Sequence, residues 1–509
     1  MREEPRAPTE ICALWLCGAH APEAGHVALA LGLLAAAANE ARERWPKILG
    51  NPAGVRIICP AAQTAPEALV ESAKATGSAL LLIDGPLNFL AAQCDVAIVA
   101  SPEDLPRAGL LPALILPSRA ESVFWFDRGE AHPLAASARR MDEPFSIATP
   151  ALIATAALAP PRGAHETRKL ADYLAEDRDA HAGRRAYDLL LWLIGQRTGS
   201  GGGPDNSWEC ARAPARQARP GALGTIEAMH AAYARADALA LIFGKRWRST
   251  LVARSLLLLL ASVVSGLTGA LFPKLSMVTI PIQVAVTVLI FIDGRHAARD
   301  RWREKWIEYR RLAEALRTGR FLALCGVAPG RADTPDWVDW MAHRATRAAA
   351  PFDALNDAAA PAVIAHLAGV EINEQIAYQR DAFRRFRRLD HRIRRAAVIA
   401  LCAFVALGAA LGALALAPFD VISLSFTSTM SLAFTAAPAL YATLNSVRRD
   451  LDVIRQAARS AEIAAGLKRL ARAIASTPAT AEAAGAAGLR AAEIMRNDVS
   501  SWHGAVEVL

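Results

Sequence analysis

The chain has 509 residues, a formal net charge of +8 and 53% apolar residues, room for two or three domains. Its seven cysteines (Cys12, Cys17, Cys59, Cys94, Cys210, Cys325 and Cys402) are scattered and form no CxxC pair, which argues against a disulfide framework and a zinc site. The basic excess could suit nucleic acid, but it clusters beside long apolar runs, so nucleic acid is not the expected partner.

Met1–Glu10 carries Glu3, Glu4, Pro5 and Pro8, and the apolar run Ile11–Leu16 is shorter than a secretory signal core, so no signal peptide is expected. Residues 11–128 alternate short β-like runs with helical stretches. Strands are predicted at Ile11–Cys17, Val55–Cys59, Ala79–Ile83, Asp95–Ala100, Ala113–Leu116 and Ser122–Phe126, with helices at Val27–Arg44 and Pro66–Thr76. The strand runs are continuously apolar, which predicts a parallel sheet covered on both faces and a Rossmann-like α/β domain over residues 1–135. In such sheets ligands sit beyond the carboxyl ends of the strands. The candidate ligand residues are therefore Gly18 and His20 after the first strand, and Asp95 and Ser101 around the fourth. Gly18 would let a phosphate approach the backbone, and His20 could donate a hydrogen bond to it.

Residues 136–224 read as a helical segment and linker. Ala151–Pro160 is a short buried helix, Glu166–Gly195 one long amphipathic helix, and Thr198–Gly224 a Gly/Pro-rich connection. Then come four uncharged apolar runs: Ser255–Pro273, Leu275–Ile292, Ala396–Phe419 and Val421–Val447. Each reaches about 18 residues or more, the length a helix needs to cross a bilayer. Only Lys274 separates the first two and only Asp420 the second two, which predicts two helical hairpins. These organise a first two-helix module at 225–330 and a second at 331–509, with helices Ile226–Trp247, Arg295–Leu324, Val370–Arg395 and Leu451–Ala475 running on from the spans, a loop around Pro329, Pro335 and Pro351 between the modules, and a last helix at Ala481–His503.

Arginines and lysines flank the runs on one side only: Lys245, Arg246, Arg248 and Arg254, then Arg295 to Lys305, Arg384 to Arg395, and Arg448 with Arg449. The positive-inside rule then places both termini in the cytoplasm, at the inner membrane. Within the spans, hydroxyls crowd the last run. Ser425, Ser428, Thr429 and Thr435, with Gln283 in the second run, are candidates for lining a polar path; packing between helices is the plainer role. Gly408 and Gly412 form a GxxxG pair. No Walker A loop, GxSxG, HExxH or GxGxxG occurs, so no catalytic residue, metal or cofactor is assigned. His230–Asp237 (HAAYARAD) and Gln375–Ala382 (QIAYQRDA) hint at a repeat between the modules.

The segments Trp306–Arg317, Glu374–Tyr378 and Met495–Trp502 resemble bacterial proteins that join a SLOG-like Rossmannoid domain to SLATT-type two-helix membrane modules (SMODS and SLOG-associating 2TM effectors). The resemblance implies a membrane effector in antiphage or other conflict systems. In such proteins the Rossmannoid part senses a nucleotide-derived second messenger, and oligomerised spans perturb the lipid bilayer. Gly18-Ala19-His20 lacks the arginine of the family's Gly-His-Arg loop, and Ser101–Gly109 has a single glycine where a glycine-rich loop is expected, so the domain is either a sensor or a degenerate one. The alternatives are a membrane-anchored nucleotide-processing enzyme and a non-conducting membrane scaffold. The expected fold class is thus a Rossmann-like α/β domain followed by an all-α membrane region with long cytoplasmic helices.

Overall fold

The computed structural model describes residues 7–17, 22–108, 111–116, 123–126, 146–161, 163–177, 185–193, 219–271, 276–327, 336–347, 351–415 and 424–504. Its N-terminal part is a seven-stranded sheet: β1 Ala7–Trp15, β2 Leu49–Pro60, β3 Ala79–Ile83, β4 Val96–Val99, β5 Ala113–Ile115, β6 Phe124–Phe126 and β7 Ser146–Ile147. The order is β3-β2-β1-β4-β5-β6-β7, and the first five strands run parallel. Order 3-2-1-4-5 is the Rossmann arrangement, with its switch point between β1 and β4. The expectation of a purely parallel sheet is corrected at one edge, where β6 and β7 pair antiparallel.

Both faces of the sheet are buried, which explains the unbroken apolar runs. Ile11, Ala13, Trp15, Ile57 and Ile98 face helices α1 Ala24–Arg44, α2 Glu67–Thr76 and α4 Pro150–Leu158. Leu14, Leu16, Ile58, Ala97 and Val99 face α3 Leu87–Ala92 and, beyond it, the C-terminal helices. Each of these cores runs without a gap into the helical half of the molecule.

That half begins with α5 Ala164–Ala175 and α6 Ala186–Leu193. The single helix expected over Glu166–Gly195 is therefore interrupted. The guanidinium of Arg235 donates to the carbonyls of Tyr173, Leu174 and Glu176 at 3.0, 3.1 and 2.7 Å, which satisfies the end of α5 where Glu176 turns extended. Next come α7 Leu223–Leu271, α8 Ser276–Arg299, α9 Trp302–Leu324 and α10 Trp337–Arg347. The chain closes with α11 Ala360–His366, a π turn Leu367–Ile372, α12 Asn373–Ala415, α13 Leu424–Asp450, α14 Val453–Ala475 and α15 Ala481–Gly504. Helices α7 and α8 pack together, as do α12 and α13. The expected smooth passage from the second and fourth apolar runs into the following helices is corrected: each is broken by a two-residue turn with a left-handed residue, Arg301 (φ 51°) and Asp452 (φ 47°). These are the positive-φ non-glycine residues among those described.

Among the described residues four helical stretches are long and apolar enough to cross a membrane: Ala24–Arg44, Leu223–Gly266, Ile280–Leu324 and Ala360–Ala410. The first is α1, which links two strands hydrogen-bonded to each other; 44% of its apolar window is buried, against 22%, 11% and 17% for the others. It is a sheet-covering helix. On α7, α8 and α12, by contrast, Leu258, Leu260, Ile280, Val284, Phe291, Ile399 and Val405 are more than half exposed. An apolar surface of that extent is consistent with a membrane protein.

Candidate functional site

Helix α10 (WVDWMAHRATR) is where the sheet meets the helical half. Its apolar residues Trp337, Val338 and Trp340 are buried against β1, α7 and α9. Its first turn is closed by carboxylates. Asp336 accepts from the N–H of Asp339 at 2.9 Å, and Glu166 of α5 accepts from the N–H of Trp337 at 3.1 Å, each favourable at a helix N-terminus. Its last turn brings His343 and the cations Arg344 and Arg347 together on Asp95.

Asp95 stands at the amino end of β4 and is fully buried. Its Oδ2 accepts the N–H of Cys12 at 3.0 Å, and its own N–H donates to the Cys12 carbonyl at 2.7 Å. Its Oδ1 lies 3.5 Å from Nε2 of His343, 3.5 Å from Nη1 of Arg344 and 3.6 Å from Nε of Arg347. Arg344 also donates to the Glu10 carbonyl at 2.8 Å, and Arg347 to those of Ala92 and Cys94 at 3.0 and 3.1 Å. Burial alone would raise the Asp95 carboxyl; Arg347, His343 and Arg344 overcome that and hold it well below the usual carboxylate range. Burial, reinforced by Arg347 and Arg344, pushes the imidazole of His343 down to about 4 against the opposing pull of Asp95, so it is neutral near pH 7.

The chain just beyond α10 continues the clasp. Gln93 and the Phe352 backbone exchange two hydrogen bonds of 3.0 Å each, Asp353 accepts from the Asp84 N–H at 2.8 Å, and the Ala354 N–H donates to the Asp84 carbonyl at 2.8 Å. The stretch between the two modules therefore wraps the α/β domain. A boundary at residue 331 would assign α10 to the second module, although its neighbours are β1, α5, α7 and α9.

A second set of contacts joins α5 to α9. Lys169 lies 3.2, 3.0 and 2.7 Å from Glu166, Glu304 and Glu308, Arg301 pairs with Asp172, and Lys305 reaches Glu176 at 2.6 Å. Further along α9, Arg310 bridges Asp237 and Glu314 at 2.7 Å each, and Arg317 holds Glu314 and Gln375. Buried Arg320 meets Glu371 at 3.2 Å. The residues of the Trp306–Arg317 motif are thus connectors between helices. Tyr309 stacks with Tyr173, Phe243 and Trp337 at 5.3–5.8 Å.

Of the predicted ligand residues, the two described, Asp95 and Ser101, flank opposite ends of β4. Gly18 and His20 lie outside the described residues. Ser101 lies at the carboxyl end of β4, its hydroxyl 3.3 Å from Asp104, which in turn meets Arg107 at 3.3 Å. Asp95 is at the other end of that strand, facing α10. Gln283 is half-buried on the same face of α8 as Val286. Ser425, Ser428, Thr429 and Thr435 lie on α13, with side chains outside those described. The thiols of Cys12 and Cys325 are raised by burial to about 11 and about 12, and those of Cys17 and Cys94 are raised as well, so none is a ready nucleophile at neutral pH. Among the described residues no group of three His, Cys, Asp or Glu side chains is placed to hold a metal ion. The α10 clasp escaped sequence reading because Pro329, Pro335 and Pro351 suggested a loop; the usable signal was Trp337 and Trp340 followed by His343, Arg344 and Arg347 at helical spacing.

Comparison with known proteins returned no matching family model, no matching curated protein and no matching solved structure.

Proposed function

We propose that the chain is a SLATT-like membrane effector of a bacterial conflict system. It sits in the inner membrane as two hairpins with both termini cytoplasmic, oligomerises there, and is restrained by its Rossmann-like domain. The observation that supports this most is the clasp. Helix α10 and the α5–α9 ion pairs fasten the sheet to the helices that carry the exposed apolar surface. A ligand or partner that shifts the sheet would act on those helices through packed, ion-paired groups. A nucleotide-derived messenger at the β1–β4 switch point is the ligand this reading expects.

The test is membrane potential in bacterial cells. Overexpressed chain, or chain lacking residues 1–224, is expected to depolarise the membrane and arrest growth. Replacing Ser425, Ser428, Thr429 and Thr435 with Ala or Val should suppress this at equal abundance in the membrane fraction. Depolarisation that survives the substitutions would move the path elsewhere; no depolarisation by either form would overturn the effector reading. One observation favours the scaffold alternative. The hydroxyls of Ser262 and Thr287 donate to carbonyls of their own helices, Leu258 at 2.9 Å and Gln283 at 2.8 Å, as packing hydroxyls do.

A further inference from the structure

A cavity of about 650 Å³ opens between α7, α8 and α9, at the base of the first pair of apolar helices. Arg254 on its wall immediately precedes the apolar run Ser255–Pro273, and Gly294 lies two residues beyond Ile292, where the second run ends. If those runs span the bilayer as proposed above, on which this inference rests, the cavity sits at head-group depth on the cytoplasmic side.

Its charges are unevenly matched. Lys169 is surrounded by three carboxylates, and Arg301 is paired with Asp172. Among the described residues Arg254 and Arg303 are left without a carboxylate partner. The Nε of Arg254 is buried and has no hydrogen-bond partner among the described residues, and its Nη2 lies 2.8 Å from where a Cβ on Gly294 would stand. Glycine at 294 leaves room for that guanidinium against α8. Arg303 lies over the Trp247 ring at 6.0 Å, and tryptophan is the residue most at home where lipid meets water. Ile307, Ala297 and Ala298 add an apolar wall. Two cations beside an apolar wall at this depth match a phosphate that carries an acyl chain.

We propose that this cavity binds the phosphate head group of an anionic phospholipid through Arg254 and Arg303. Its wall includes Arg301, the left-handed residue at the α8–α9 turn, so an occupant touches the joint between membrane helix and cytoplasmic helix.

The full chain, purified in detergent and reconstituted in nanodiscs of phosphatidylcholine with or without phosphatidylglycerol, tests this by native mass spectrometry of retained lipid. Wild type should retain phosphatidylglycerol over phosphatidylcholine by about tenfold or more, the scale of two head-group cations, and the Arg254→Gln/Arg303→Gln variant should lose that preference. Arg384→Gln/Arg388→Gln, which removes equal charge from the second module, should keep it. Equal retention of the two lipids by wild type, or an unchanged preference in the first variant, would overturn the proposal. Displacement of the lipid by millimolar inorganic phosphate would assign the site to a soluble phosphate and overturn the lipid source. A chain that stays in the supernatant without detergent would instead defeat the membrane reading itself, a result separable from loss of selectivity in an inserted protein.

Discussion

The two three-helix units, α7-α8-α9 and α12-α13-α14, share a plan and differ in what holds them. Their helices have 49, 24 and 23 residues in the first and 43, 27 and 23 in the second, and in each a left-handed residue separates the second helix from the third. The weak HAAYARAD/QIAYQRDA similarity falls on the long first helix of each, Leu223–Leu271 and Asn373–Ala415. The first unit is fastened to the α/β domain by α5 and α10, whereas the second carries an arginine-rich, largely exposed stretch on α12 and is tied within itself by the half-buried pair Arg448–Asp390. The same architecture thus meets the α/β domain once through ion pairs and once through apolar packing of α14, with Gln375 and Glu371 tying the second unit to α9. The Asp95 and Lys169–Glu308 pairs are the most withdrawn from water and so costly to break, whereas Arg448–Asp390, like Arg301–Asp172, is half-buried and cheaper.

The largest test of that contrast is charge removal on each side. Asp95→Asn leaves Arg344 and Arg347 buried without their carboxylate and should cost roughly 3–5 kcal/mol in thermal or denaturant unfolding of the full chain. Asp390→Asn removes a carboxylate that lies closer to its arginine, at 2.5 Å, but is only half-buried, and about 0–1 kcal/mol is expected. Equal losses would mean that the clasp is no more than another surface pair.

Acid should find the same asymmetry. His343 titrates near 6.5 when unfolded and at about 4 in place, so between these values the unfolded chain takes up a proton that the folded chain refuses. Its contribution is complete above pH 6.5, declines as pH falls and is fully lost near pH 4. At ~1.4 kcal/mol per pK unit the loss is on the order of 3 kcal/mol. The groups facing it are Asp95, Arg344 and Arg347; Asp95, held below the usual range, gives way only at lower pH. His343→Gln should flatten stability between pH 6.5 and 4, and an unchanged slope would place the acid-sensitive group elsewhere.

What the sequence made legible follows from which signals are local. Continuous apolar runs revealed β1 to β5 and three helices of membrane length, α7, α8 and α12, because a segment with no face in water shows no polar alternation; the first half of the fourth run has side chains outside those described. Edge strand β6 is also legible, as Ser122–Phe126, but not its antiparallel direction, and β7, two residues long, carries no period to read. Asp95 reads as a candidate ligand residue and not as a clasp. Strand direction puts it at the amino end of β4, and its partners lie about 250 residues away on α10. The breaks at Arg301 and Asp452 have no glycine or proline to mark them, so nothing in the chain announces them.

Those two breaks give the finest test. A non-glycine residue in the left-handed region costs roughly 1–2 kcal/mol, while glycine loosens the unfolded chain by about 0.4–1 kcal/mol, so a strain-relieving glycine nets roughly 0–1.6 kcal/mol. Asp452 makes no side-chain cap bond to α14 and meets Arg455 only at 3.7 Å near the surface, so Asp452→Gly should show that small gain as a raised melting temperature. Arg301→Gly relieves the same strain but also removes the guanidinium that ties α9 to Asp172 of α5 and approaches Glu304 at 3.7 Å. A half-buried pair of this kind is worth about 1 kcal/mol, enough to cancel or reverse the gain. Opposite outcomes at two equivalent turns would show that the first is held by the α/β domain and the second is not. If both glycine variants are stabilised alike, the Arg301–Asp172 pair carries no net energy, and the coupling runs through α10 and the Lys169 and Lys305 pairs.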